Sequence, residues 1–534
     1  MRRSSRLAAA LIAGALLVPA LAAASVRTDA SRIRKGLTQA QRSHWVKPDD
    51  AIVYRAQVSR ALGDLRRLPP LRATVIANQL WEVGRQAGSY VSPRAAALFG
   101  TLRFNLDYLE SHALPRTRVD VPDAAGVVYR WFGMQGFQLH PLADFGALNA
   151  AVTSGDPVAT QALADALVAR GVPRGATLRW EYYFPFGGGR PPWLSGMAQA
   201  VAAQALARAG QLLNEPALLQ DARRAYAAVA PGLLLQLAAG PWIRLYAFDR
   251  EIVFNAQLQA VLSLYDYADA TDDPGALNLA AEMDVAAQTM LPRFDTGYWS
   301  LYELGGREAP LDYEQFVTQL LIKLAQRTQN PVWQDAAARF YAYVKQPPQV
   351  VFPAPPTAPV TLYPRPADGW LDSAPIAFTL SKRSKVTLAA GGRIVTATFD
   401  RGAHTLTWKP GTLAPGTYAA QLVAVDLAGN RTTVALPQPF VVAQEQAPQV
   451  QAQLQGNVLA WQGVDPGTPK LRLQLALADA SGAGLPPQTL DLGFHSVSGT
   501  ANVALPTGTW QVTLTATNTA KLAATVDLGQ VTVS

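Results

Sequence analysis

The chain has 534 residues and an apolar fraction of 49%, enough for three or four domains with sizeable buried cores. Lys and Arg outnumber Asp and Glu by 46 to 38, a balance of +8 that suits an anionic partner as readily as a plain basic protein. No dense Lys/Arg run interleaved with aromatics is present, which argues against nucleic acid, and the absence of cysteine excludes disulfides, thiolate catalysis, Fe–S clusters and cysteine zinc sites.

Residues 1–24 read as an export signal: Arg2, Arg3 and Arg6, then an apolar run from Leu7 to Leu21, then Ala22-Ala23-Ala24. The expected location is therefore secreted or cell envelope, with no integral membrane span after cleavage. Residues 25–118 carry helical periodicity, clearest from Ala51 to Leu68 and from Pro70 to Gln86, with a break at Pro69-Pro70. Val127 to Phe132 reads as a strand. Helices are then expected over Ala143–Ser154 and Asp156–Arg170.

From Ser195 onward, helices of similar length recur: Ser195–Leu213, Pro216–Val229, Ile252–Ala270, Pro274–Met290, Tyr313–Arg327 and Pro331–Lys345. Asp273-Pro274 and Asn330-Pro331 place proline at a helix start, where its missing N–H costs little. Paired helices joined by short loops predict an (α/α) toroid, a helical barrel, over residues 119–345. Residues 346–360 are proline-rich and form a linker. Beyond it the period shortens to two, and two all-β immunoglobulin-like or fibronectin III-like sandwiches are expected, over 361–445 and 446–534. Leu413-Ala414-Pro415-Gly416-Thr417-Tyr418 and Leu505-Pro506-Thr507-Gly508-Thr509-Trp510 repeat at equivalent places in the two. Trp408, Trp461 and Trp510 are expected in their cores.

The chemistry-bearing signals lie in the helical region. Five scattered histidines, His44, His112, His140, His404 and His495, show no metal-ligand spacing, so no metal site is assigned. Ser195 lacks a Gly-x-Ser-x-Gly elbow, and no Gly-Lys-Ser/Thr follows Gly187-Gly188-Gly189, so neither a hydrolase triad nor a phosphate loop is supported. The informative segment runs from Trp180-Glu181-Tyr182-Tyr183-Phe184 through the glycines and Arg190 to Pro192-Trp193-Leu194-Ser195-Gly196-Met197-Ala198-Gln199. Together with Leu264-Tyr265-Asp266-Tyr267 and with Phe294-Asp295-Thr296-Gly297 through Leu301-Tyr302-Glu303-Leu304, it resembles the C-terminal helical domain of the D-glucuronyl C5-epimerases, over roughly Phe132 to Lys345.

That resemblance implies removal of the proton at C5 of a uronate in an acidic polysaccharide and its return on the other face, without an organic cofactor. Such a reaction needs a base, an acid and donors for the developing enolate. The resemblance assigns Tyr302 as the first catalytic residue and Tyr246 as the second. Tyr313 is the third, subject to a one-residue choice of register with Asp312. Where the family carries glutamate beside the second tyrosine, this chain has Leu245; Asp249 and Glu251 are the nearby carboxylates. Arg190, Arg250, Glu181, Tyr182, Tyr183 and Trp193 are candidate substrate-binding residues. A tyrosine acting as base would need neighbours that lower its pKa. The expected geometry sets Tyr302 opposite Tyr246 or Tyr313 across the width of one sugar ring, with an arginine at the edge. A lyase begins with the same proton removal, and a non-catalytic glycan binder of the envelope is the second class of reading; the sequence leaves both open. Animal members of the family are described as dimers, and a homodimer is left open here.

Overall fold

The computed structural model describes residues 20–116, 118–353 and 359–534. The export signal expected over residues 1–24 lies largely outside them. The first described helix is Ala20–Arg42. Among the described residues no helix is long and apolar enough to cross a membrane. The chain divides into two compact units, one of residues 1–296 and 300–339, the other of residues 297–299 and 340–534.

The first unit is helical. Its N-terminal helices Pro48–Arg67, Pro70–Arg85 and Ser92–Ser111 each have proline in the first turn, which suits a position whose N–H has no helical partner. A three-stranded antiparallel sheet follows, Asp120–Pro122, Val128–Trp131 and Phe137–Leu139. The later helices begin and end within a few residues of their expected places: Gly196–Leu212, Pro216–Tyr226, Phe254–Thr271, Pro274–Phe294, Leu311–Thr328 and Pro331–Tyr343. The helices Gly196–Leu212 and Phe254–Thr271 are buried on nearly every side, so they form the interior on which the others pack.

Two glutamines lock these inner helices to neighbouring strands and helices. Gln199 donates to Leu178 O at 2.8 Å and Ala225 O at 3.1 Å. Gln257 donates to Pro241 O and Met283 O, and accepts from Ile243 N at 2.8 Å. Both amides are buried, where a hydrogen bond left unmade would be costly. The end of the Pro192–Gln199 segment is therefore architectural. Ser195 is architectural too: its hydroxyl caps the helix by accepting from Ala198 N at 3.2 Å.

The second unit is all β apart from its first residues. Strands Arg393–Phe399, Ser384–Ala390, Ala420–Asp426 and Arg431–Ala435 form one sheet, and Gly402–Trp408, Ala374–Leu380 and Val350–Val351 form another. Phe378, Leu388, Trp408, Leu422 and Phe440 share their core. A second pair of sheets, built on Gln449–Gln455, Val458–Val464 and Gly499–Asn502 and on Gln488–Ser496, Lys470–Asp479, Gly508–Thr517 and Ala523–Val533, encloses Leu459, Leu475, Trp510 and Leu514. The expected single strand Tyr418–Val425 is broken, into Gly416–Tyr418 and Ala420–Asp426, because its two halves pair in different sheets. The repeat has a physical basis. Tyr418 Oη donates to Ala414 O at 2.7 Å, and Trp510 Nε1 donates to Pro506 O at 2.9 Å. Each corner is closed by an aromatic reaching back four residues. Trp408, Trp461 and Trp510 are all core residues, at 0%, 5% and 1% exposure.

Candidate active site

Three tyrosines converge in the helical unit. Tyr302 and Tyr313 meet edge to face, with ring centroids 4.9 Å apart. Tyr246 and Tyr313 both act electrostatically on Tyr302, and Tyr313 acts on Tyr246.

Local structure explains the convergence. Tyr246 follows the strand Gly240–Ile243 in a loop pinned from two sides. Arg244 donates to Asp249 O through Nε at 3.1 Å and Nη2 at 2.7 Å. Gly196 N donates to Arg244 O, and Ala247 N to Leu194 O, both at 2.9 Å. A side chain at Gly196 would place its Cβ 2.5 Å from Arg244 O, so this approach requires glycine. Tyr302 lies in a short irregular hairpin, where its N–H donates to Arg307 O. Glu314 ties that hairpin to the helix carrying Tyr313. It accepts from Ser300 N at 3.0 Å and from the Ser300 hydroxyl. Glu314 is fully buried, and burial raises its carboxyl from 4.5 to about 7.

An aromatic floor adjoins the phenols. Trp193 stacks on Tyr182 with centroids 4.0 Å apart and meets Tyr246 edge to face at 5.6 Å. Phe248 stacks on Tyr246, and Phe132, Phe184 and Phe186 complete the cluster. Tyr246 and Phe248 remain partly exposed, which suits contact with a sugar face.

Charge of both signs acts on the tyrosines. Glu251 and Asp249 act on Tyr246, and Glu251 acts on Tyr302. Glu251 is itself raised, by burial and then by Asp249 and Glu303. The positive charge is that of Arg130, which is felt at Tyr182 and Tyr313. Arg130 faces Asp120 across two paired strands and grips it with two 2.6 Å bonds. Its Nη1 lies 3.4 Å from Nε2 of His140. Sequence reasoning missed Arg130 and Asp120, because the signal that joins them is the register of two short strands, and it met His140 only as one of five scattered histidines.

Four expectations are corrected. Tyr302 and Tyr313 are not separated by the width of a sugar ring; their rings meet edge to face, so they form one wall. Nor are Tyr246 and Tyr302 lowered: burial raises both above the ordinary phenol value, and charged neighbours add to it. Glu181 and Tyr183 do not line an open cleft. Glu181 is buried in a two-pronged ion pair with Arg94, both bonds 2.9 Å, and Tyr183 is buried beside that pair. Arg190 and Arg250 are exposed and make no hydrogen bond or ion pair among the described residues; the arginine beside the phenols is Arg130. Leu245, at the family's glutamate position, is buried at 7% exposure. Among the described residues no group of three or more His, Asp or Glu side chains is arranged to hold a metal ion.

Comparison with known proteins agrees with the sequence reading. The family described as D-glucuronyl C5-epimerase C-terminus matches residues 174–342. No curated protein matches the chain. Solved structures are only distantly similar. The endo-β-1,4-glucanase CMCax of Acetobacter xylinum is 16% identical, with a TM-score of 0.27, over 39% of this chain and 61% of that one. The chain thus spans about three-fifths of that protein. The GH76 α-mannanase of Bacteroides thetaiotaomicron is 14% identical, with a TM-score of 0.29, over 38% of this chain and 60% of that one. The fibronectin(III)-like modules of CbhA from Clostridium thermocellum are 17% identical, with a TM-score of 0.17, over 35% of this chain and 94% of theirs.

Proposed function

We propose that the helical unit is an (α/α) toroid that performs C5-proton chemistry on a uronate of an acidic polysaccharide, most concretely C5 epimerisation. The observation that carries this reading is the convergence of Tyr246, Tyr302 and Tyr313 beside Glu251. The family match over residues 174–342 supports it. The raised phenols are neutral at physiological pH and therefore serve as proton donors. Glu251, the carboxylate coupled to both Tyr246 and Tyr302, takes the C5 proton. The phenols donate to the developing enolate, and one of them gives its proton to C5, which completes the exchange. The partly exposed rings of Tyr246 and Phe248, backed by Trp193, stack the sugar.

The chain is exported in this reading. The two β modules are immunoglobulin-like spacers, a reading supported by the corners at Tyr418 and Trp510. One observation favours a second reading, a glycan binder without catalysis: Leu245 stands buried where the family carries its glutamate. Solvent deuterium incorporation at C5 of a uronate polymer separates the two. Exchange that disappears in both Glu251→Gln and Tyr302→Phe supports catalysis, and binding without exchange supports the second reading. The configuration or unsaturation of the product then separates epimerase from lyase.

A further inference from the structure

His140 caps the helix Pro141–Ser154, and its Nδ1 accepts from Ala143 N at 3.2 Å. Its ring proton is therefore on Nε2. The ring is 8% exposed, and burial, reinforced by Arg130, lowers its pKa to about 3, so it is neutral at physiological pH. Its Nε2–H points at Nη1 of Arg130, 3.4 Å away. Both atoms are donors, and neither can satisfy the other. The Asp120 carboxylate does not resolve this, because it is engaged by Nε and Nη2. Beside them the buried Tyr182 hydroxyl accepts from Leu142 N at 3.3 Å, in the first turn of the same helix, which leaves its own proton to donate. Three donors, one positive charge and a helix N-terminus thus gather in one place. It is joined to the tyrosine cluster through Trp193, which stacks on Tyr182 and meets Tyr246 edge to face.

We infer, on the reading that the tyrosines handle a C5 proton, that Arg130, His140 and Tyr182 form the subsite that binds the uronate carboxylate, with Asp120 holding the guanidinium in place. These four residues differ from the arginines Arg190 and Arg250 expected from sequence, and three of them precede the family-matched stretch 174–342. A carboxylate between Arg130 Nη1 and His140 Nε2 accepts from both donors. It fixes the sugar by the group attached to C5, and its developing enolate charge meets a cation. A neutral hexose offers only a hydroxyl there, without the negative charge that strengthens the bond to Arg130, so the subsite favours uronates.

The test uses two probes, a heparosan hexasaccharide and the same hexasaccharide with its carboxylates reduced to alcohols, titrated calorimetrically into the full chain. The wild type binds the acidic probe more tightly. Arg130→Gln weakens that binding by about tenfold or more and leaves the reduced probe within about twofold. His140→Phe, which leaves the Arg130–Asp120 pair intact, acts in the same direction, whereas His140→Gln, which retains an N–H donor, recovers part of the loss. Thermal melts identify any variant that fails to fold, and the other variants then carry the test. If Arg130→Gln and His140→Phe both fold and keep the wild-type preference for the acidic probe, the subsite is wrong. It is equally wrong if the wild type shows no preference. C5 deuterium exchange on the same acidic probe reports on the catalytic reading separately. A preference that depends on Arg130 without any exchange leaves the subsite standing and removes the catalysis.

Discussion

Replacing Glu314 with glutamine tests the link that brings Tyr302 to Tyr313. The carboxyl is fully buried and titrates at about 7 in the fold, against 4.5 in the open chain. The folded state therefore holds this proton more tightly than the unfolded state. Its contribution is fully present below pH 4.5, declines as pH rises, and is gone above about 7. A tenfold difference in proton affinity between the two states corresponds to about 1.4 kcal/mol, so the whole window amounts to about 3 kcal/mol. Glutamine keeps an acceptor for Ser300 N at the same place but carries no titrating proton. Urea denaturation followed at 222 nm, where helix dominates, gives the stability of the helical unit at pH 4.5, 6 and 7.5. The difference between wild type and Glu314→Gln should move by about 3 kcal/mol across that range, with the wild type losing ground as pH rises. Other buried carboxyls, such as Glu82, cancel in the difference. Parallel pH curves for the two proteins would refute the reasoning.

The remaining predictions concern packing around the site. Arg94→Met leaves Glu181 buried without its partner and should cost about 3–5 kcal/mol, whereas adding Glu181→Leu should recover most of the loss; urea denaturation measures both. Gly189→Ala would press a methyl into the Phe248 ring. It should destabilise the fold by about 1–3 kcal/mol and weaken glycan binding in calorimetry, because Phe248 stacks directly on Tyr246. Trp193→Ala removes the ring beneath both Tyr182 and Tyr246 and should cost about 3–5 kcal/mol, with the melting temperature as the readout.

The helices were legible because their apolar residues recur at three- and four-residue spacing and because prolines mark their starts, as at Pro216, Pro274 and Pro331. The β modules were legible through alternation and through the two Gly-Thr-aromatic corners, whose back-bonds depend on sequence neighbours alone. The tyrosine trio was reached through motif resemblance, not through periodicity. What stayed hidden depends on distant pairing. Glu181 finds Arg94 across 87 positions, and that partner decides that it is buried architecture and not a cleft residue. Arg130 acquires its orientation from a cross-strand neighbour at Asp120, and its relation to Tyr313 exists only in the folded chain. That the phenols are raised and not lowered was hidden for the same reason, because it follows from burial.

The central claim is that Tyr302 and its neighbours handle a proton at C5 of a uronate. Its most direct test is incubation of uronate polymers in deuterated solvent with the wild-type chain and with Tyr302→Phe, read by NMR at C5. The account predicts deuterium at C5 with the wild type and its loss, by about a hundredfold or more, in the variant. Unchanged exchange in Tyr302→Phe, or polymers that bind the wild type and never exchange, would contradict it.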